Sequence, residues 1–258
     1  MQPHLSNQAS RFHLMLLTLL KYRSTIKNED INMGDYKGTG NLEVMAEAMN
    51  YNRFLLELVL RYAKAGDRIL DFGAGIGTFA KSISERGYTV CCVEPDPNQA
   101  SVIGELGLTV YGDLDQINDD SLDYVYSLNV LEHIKDDRTM LQNIYHKIKP
   151  GGRLLIYVPA FQVLYSSMDE KVGHHRRYTR SSLEAVVNDA GFKVLRTRYA
   201  DSLGFLATIL YKITGGTAGD INVRALIAYD RLIFPLSCMV DRLLGLFIGK
   251  NVLLVAVK

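Results

Sequence analysis

The chain has 258 residues with 29 basic against 28 acidic side chains, a formal net charge of +1, which is long enough for one large α/β domain with its own core. Hydrophobic residues at 48% and charged residues at 22% exclude the disordered and fibrous classes, and the near-neutral charge speaks against a nucleic-acid substrate, whose phosphates call for a basic excess or a basic face. Of the three cysteines, Cys91 and Cys92 are adjacent, giving neither a disulfide framework nor a metal-ligand spacing, so a reducing compartment and no metal are the expectation.

Phe12 to Leu20 is apolar but too short for a membrane span, and no small-residue cleavage signature follows it. A cytoplasmic protein is expected. Flanked by Lys21, Arg23 and Lys27, this segment reads either as a short helix docked on the domain or as an element lying in a bilayer interface at the inner face of the membrane. Glycine-rich Asp35 to Asn41 reads as mobile. Residues 1–40 thus form an N-terminal helical or mobile segment ahead of a single domain over 41–258.

Asn41 to Lys64 reads as helical and carries Asn50-Tyr51-Asn52-Arg53-Phe54. Tyr51 can fold over a ligand held by the following loop, or equally serve as a buried core tyrosine. The apolar strand Arg68-Ile69-Leu70-Asp71-Phe72 then runs into Gly73-Ala74-Gly75-Ile76-Gly77, and Phe79, Ala80 and Ile83 fall on one face of a helix. Glycines at these positions allow a tight turn and close approach of a ligand to the backbone. The spacing G-x-G-x-G is not the dinucleotide fingerprint G-x-G-x-x-G. Asp71, two residues before the first glycine, would repel a pyrophosphate and suit an ammonium group, so the implied ligand is a nucleoside cofactor with a cationic end.

Tyr88 to Val93 reads as a second buried strand ending on Glu94-Pro95, where an acid can accept both ribose hydroxyls. Leu108 to Tyr111 forms a third, delivering Gly112-Asp113-Leu114. The glycine loop and the ordered strand-end acids Asp71, Glu94 and Asp113 resemble the class I S-adenosyl-L-methionine (SAM)-dependent methyltransferases. That resemblance implies SAM as cofactor, with Asp113 near the adenine amino group and Leu114 against the ring.

Leu122 to Leu128 reads as the fourth strand, placing Asn129, Glu132 and His133 at its carboxyl end, where ligands bind in open α/β sheets. The Glu132-His133 pair also resembles the quinone-biosynthesis methyltransferases, and His133 reads as a catalytic group or as a structural histidine on a backbone carbonyl. A helix over Asp137 to Ile148 is expected to stop at Lys149-Pro150-Gly151-Gly152, before a fifth strand over Leu154 to Val158. Beyond it, Gly173-His174-His175-Arg176-Arg177-Tyr178-Thr179 crosses the rim. His175 and His174 are candidate bases and Arg176, Arg177 and Tyr178 candidate acceptor contacts; the competing reading is a surface loop whose arginines pair with Asp169 and Glu170. This motif and Asn50–Phe54 resemble the glycosyltransferase-associated branch of the same family. Ser181 and Glu184 read as a capping box opening the next helix, which ends at Ala190-Gly191.

Lys193 to Tyr199 and Asn251 to Val257 are the sixth and seventh strands. The insertion between them, 201–250, is apolar over Leu203 to Ile213 and Leu226 to Phe247, with a break at Gly215, Gly216 and Gly219. Asp230-Arg231-Leu232 recurs as Asp241-Arg242-Leu243, about three helical turns on, and reads as surface ion pairs on one helical face. The insertion itself reads as a lid over an acceptor with an apolar portion, a dimer interface, or a membrane contact. The family resemblance implies a Rossmann-like, seven-stranded, mostly parallel sheet with helices on both faces and an antiparallel last strand, and methyl transfer to a small-molecule, glycan or lipid-linked acceptor, most often at oxygen. Two other classes stay open: an NAD(P)-dependent oxidoreductase, disfavoured by the loop spacing, and a non-catalytic SAM-binding or membrane-associated scaffold.

Overall fold

A computed structural model describes residue 45, residues 47–213 and residues 223–258; the segment 1–40 and the cluster Gly215, Gly216 and Gly219 lie outside them. Seven strands form one sheet: β1 (Arg68–Phe72), β2 (Thr89–Val93), β3 (Thr109–Tyr111), β4 (Leu122–Leu128), β5 (Ile148–Pro159), β6 (Lys193–Ala200) and β7 (Asn251–Val257), in the order β3-β2-β1-β4-β5-β7-β6. Only β7 runs against its neighbours, pairing antiparallel with both β5 and β6. The expected fold is therefore the observed one.

The strands are near-continuous apolar runs because both faces are covered, as a parallel sheet requires. Alternation along β1 sends Ile69 into one core and Leu70 and Phe72 into the other. The Ile69 face is covered by α1 (Met49–Tyr62), α2 (Thr78–Ser84) and α3 (Pro97–Glu105), through Leu55, Val59, Ala80, Ile83 and Ile103. The other is covered by α4 (Asp137–Lys147) and α6 (Arg180–Asp189), through Leu141, Ile144, Leu183 and Val187, while the short α5 (Ser167–Val172) sits on the rim between β5 and α6.

Strand order reverses between β1 and β4, so the carboxyl ends of these two strands flank the crevice in which an open α/β sheet takes its ligand. Because β6 runs parallel to β1, the insertion leaves the sheet at that same edge. It forms α7 (Ser202–Ile213), α8 (Val223–Ala228), a π turn (Tyr229–Ile233) and α9 (Phe234–Leu244).

Four local expectations need correction. The first helix does not run unbroken from the start of its apolar pattern: Glu47 and Ala48 are non-helical, and α1 begins at Met49. Lys149 to Gly152 does not separate a helix from a strand but lies inside β5 as a bulge, for the register jumps from Leu122↔Ile148 to Tyr124↔Arg153. A side chain at Gly152 would stand 2.6 Å from Ile148 Cγ2, and Gly151 has φ +78°, so glycine is what lets the chain double back there. The cap of α6 is Thr179 with Ser182, not Ser181 with Glu184; the Thr179 hydroxyl accepts from the Ser182 N–H, starting the helix one residue before Ser181.

The aspartates of the Asp-Arg-Leu repeat are not surface ion-pair partners either. Asp230 and Asp241 are 2% and 5% exposed. Asp230 accepts the N–H groups of Asn50 and Tyr51 at 2.9 and 2.8 Å, at the first turn of α1. Asp241 accepts those of Asp201 and Ser202 at 2.7 and 2.9 Å, at the start of α7. Each carboxylate satisfies orphan donors of another helix and meets the positive end of its dipole.

Candidate active site

Gly73, Gly75 and Gly77 all have positive φ, at +80°, +58° and +76°, a region where only glycine is unstrained. Protein neighbours add to the demand. A Cβ at Gly73 would lie 2.4 Å from a Val130 methyl, and one at Gly77 would press on Ile103 at 3.1 Å. The loop is thus clamped between the ends of β4 and α3, with Ala74 as its one side chain between the first two glycines. Gly73 and Ala74 both donate backbone N–H groups to the Val93 carbonyl.

Glu94, at the end of β2, is buried and accepts the Gly75 N–H at 2.8 Å and the Asp96 N–H at 3.0 Å. Burial raises its pKa, and the two backbone donors oppose that rise. The adjoining Pro95 is exposed. Asp71 is 3% exposed beneath the loop, and among the described residues its Oδ2 has no hydrogen-bond partner. Burial pushes its pKa up to about 7, against the opposing pull of the neighbouring Tyr126 hydroxyl. An added cation there would find a carboxylate with an unused lone pair. Asp113, exposed past β3, accepts from the Asp115 N–H at 2.8 Å and so holds its own turn, while Leu114 packs into the core at 5% exposure.

Across the crevice, Asn129 ends β4 in the left-handed region at φ +55°, its N–H donated to the Tyr157 carbonyl at 2.7 Å. Such strain in a non-glycine residue persists only where the surroundings impose it. The Tyr51 phenol stands beside the Asn129 and Tyr157 side chains, and burial pushes its pKa up to about 12, so it is a neutral hydrogen-bonding group. Its ring packs edge-on against Phe234, centroids 5.4 Å apart, which ties it to the insertion. Tyr51 is core-packed, and its hydroxyl stands beside Asn129 at the crevice wall.

On the acceptor side, Glu132 is fully buried with neither carboxylate oxygen hydrogen-bonded among the described residues, and burial pushes its pKa up to about 8. His133 and His174 meet edge to face with centroids 4.6 Å apart. Burial, and then the neighbouring His174, bring the His133 pKa down to about 4. His174 Nδ1 lies 2.7 Å from Asp169 Oδ1, and Arg177 grips the same carboxylate with two bonds of 2.8 and 3.0 Å. Against the rise that burial brings, the His174 hydrogen bond and then the Arg177 guanidinium hold the Asp169 pKa well below the carboxylate range. Arg176 pairs with Asp137 at 2.8 Å, and the Tyr178 hydroxyl donates to the same carboxylate at 2.6 Å. Arg176, Arg177 and Tyr178 still line a cleft of about 380 Å³. His175 is exposed, held through its backbone N–H on the Glu132 carbonyl.

The structure therefore gathers Asp71, Glu94 and the three glycines at one side of the switch point, and Glu132, His133 and His174 at the other. Beside Asp71 and Tyr51 stand Tyr126 and Tyr157, which motif spacing does not single out. Their signal was a tyrosine inside an otherwise apolar buried strand, a residue that brings its hydroxyl into the core.

Comparison with known proteins bears on this geometry. A family model described as a methyltransferase domain matches residues 45–197. A phosphoethanolamine N-methyltransferase 2 of Caenorhabditis elegans is 31% identical over 114 residues, 39% of this chain and 26% of that protein. An uncharacterized methyltransferase of Mycobacterium sp. (strain KMS) is 26% identical over 155 residues, 55% of this chain and 62% of that one. The chain thus spans less than two thirds of either relative. Among solved structures, a Haloferax volcanii complex with the Trm112 methyltransferase activator aligns over 86% of this chain and 95% of its own, with a TM-score of 0.59 and 17% identity. A SAM-dependent methyltransferase from Archaeoglobus fulgidus aligns over 81% and 93%, at 0.55 and 19%. These two show the fold. With more than half its length matched by the family model, the chain belongs to the methyltransferase-domain family, and it shares its fold with solved SAM-dependent methyltransferases.

Proposed function

We propose that the protein methylates an oxygen on a small-molecule, glycan or lipid-linked acceptor that carries an apolar portion. The observation behind the acceptor class is the outer face of the insertion. Leu206 and Ile213 on α7, Leu236, Met239 and Leu243 on α9, and Phe247 beyond it are between 48% and 76% exposed. An apolar face of this extent is unusual on a soluble monomer, and it belongs to the element that leaves the sheet at the active-site edge.

The residues present fit SAM, which supplies an activated methyl group on a sulfonium. Asp71, with its unused Oδ2, is assigned to the ammonium end and Glu94 to the ribose hydroxyls. Asp113 and Leu114 are assigned to the adenine, with Gly73, Ala74, Gly75, Gly77 and Pro95 giving backbone access. Asn129 and Tyr51 close the crevice near the acceptor. His133 and His174 are engaged by their neighbours, so the exposed His175 is the group assigned to take the acceptor proton at a ring nitrogen. Arg176, Arg177 and Tyr178 face the cleft where an anionic portion would lie. Most of the rate would come from positioning.

Similarity to a phosphoethanolamine N-methyltransferase supports a second reading, transfer to nitrogen. Incubation with methyl-labelled SAM and parallel panels of polyprenyl-linked sugars, quinols, free glycans and phosphoethanolamine separates the two. Label in a hydroxyl-bearing apolar acceptor is the expected result. Label in phosphoethanolamine alone would move the reaction to nitrogen.

A further inference from the structure

We propose that Glu132, His133 and His174 form a binding site for one divalent first-row transition-metal ion of the Zn²⁺ type. Local spacing does not reveal it, since two ligands are adjacent after β4 and the third lies about forty residues on, beyond β5. Folding brings one ligand atom of each within 4.8 Å of the others. A metal about 2.1 Å from each ligand would hold them about 3.4 Å apart, so the cluster needs to close by roughly 1 Å, a side-chain adjustment.

Three features point to an ion rather than to packing. Glu132 is 0% exposed and both of its oxygens lack a hydrogen-bond partner among the described residues. A buried carboxyl left in this way is costly, and a cation held on it would supply the missing partner. His174 Nδ1 is held by Asp169 at 2.7 Å, which turns Nε2 toward Glu132 Oε1 at 3.8 Å. That is the carboxylate–histidine orientation that fixes the tautomer and raises the basicity of a metal-ligating nitrogen. His133 meets the His174 ring edge to face and brings a ring nitrogen to the same cluster. His174 thus has the outer partner that a ligating imidazole normally carries.

Two imidazoles and one carboxylate suit zinc and its neighbours rather than Mg²⁺ or Ca²⁺, which favour all-oxygen sets. With three protein ligands the ion keeps an open position, which lowers the pKa of a bound hydroxyl. The site also ties the end of β4 to the loop after α5, across the rim. Binding as such does not depend on the methyl-transfer reading.

The full chain, stripped with a chelator and dialysed, is titrated with Co²⁺ while its visible d–d absorption is followed, and with Zn²⁺ by calorimetry. One equivalent at micromolar affinity or tighter is expected, with a rise in Tm. Glu132→Gln and His174→Gln should each weaken binding about a hundredfold. Glu132→Gln keeps the side-chain volume and removes the buried charge, so it provides a folded variant should the histidine change disturb the rim; circular dichroism checks it. Failure to bind either ion overturns the proposal, as does binding of unchanged affinity in folded Glu132→Gln. In that event His174 pairs with Asp169 and Glu132 as a proton-bearing cluster only. No SAM is used, so this outcome is distinct from failure of the methyltransferase reading.

Discussion

At the residue scale, the cofactor side turns on how Asp71 titrates. A carboxyl with a pKa near 7 is about half protonated at neutral pH, and only its ionised form attracts an ammonium group. S-adenosylhomocysteine, which keeps that amino group, should therefore bind about tenfold more tightly at pH 8 than at pH 6. Asp71→Asn should bind weakly with a flat pH profile; a wild-type profile that is equally flat by calorimetry would remove Asp71 from the ammonium site. Glu94→Ala should lower affinity at least tenfold, the equivalent of about 1.5 to 3 kcal/mol for a charge-assisted hydrogen bond. On the acceptor side, His175→Ala should cut turnover about a hundredfold and leave cofactor binding intact. If single-turnover rates were equal in wild type and variant, positioning alone would be the mechanism, as for an acceptor already ionised.

At the scale of elements, the insertion holds the start of α1 through buried Asp230 and its own α7 through buried Asp241. Asp230 takes two backbone donors of α1, one of them on Tyr51, and Phe234 packs on Tyr51 and Phe54. Asp230→Ala leaves those donors without their acceptor, so chemical denaturation should show a loss of about 1.5 to 3 kcal/mol. Arg231 is exposed, and Arg231→Ala should change stability by less than about 0.5 kcal/mol. Equal effects from the two substitutions would return the repeat to a surface ion pair.

At the scale of the whole molecule, no helix among the described residues is long and apolar enough to cross a membrane. The outer face of α7 and α9 instead carries exposed apolar side chains at the edge of the sheet where the proposed acceptor would enter. Leu243 is 76% exposed, so Leu243→Glu should leave Tm unchanged. It should abolish flotation with liposomes and slow transfer to a lipid-linked acceptor, because buried hydrocarbon contributes about 25 cal/mol per Å². A variant that floats as well as wild type would end the lipid role. A wild-type dimer in analytical ultracentrifugation that Leu243→Glu dissociates would assign the face to a second copy.

The sheet was legible in the sequence because parallel strands buried on both faces are short apolar runs separated by helical periodicity. β4 and β7 fall where those runs do, and the glycine triplet with Asp71 and Glu94 marks the cofactor crevice by local spacing alone. The antiparallel last strand came from the family resemblance, since strand pairing leaves no local trace. The acceptor side was legible as a set of reactive residue types but not as an arrangement. Arg177 lines the cleft, and only the approach of Asp169 from a neighbouring turn decides that its guanidinium is already paired there. In the same way Asp230 and Asp241 look like solvated partners of the arginines beside them until tertiary packing brings two foreign helix starts onto them. The meeting of Glu132 and His133 with His174 depends on a loop crossing from β5 to the end of β4. Sequence spacing reports what lies on one face of one element, whereas a charge's partner is set by whichever element packs across from it.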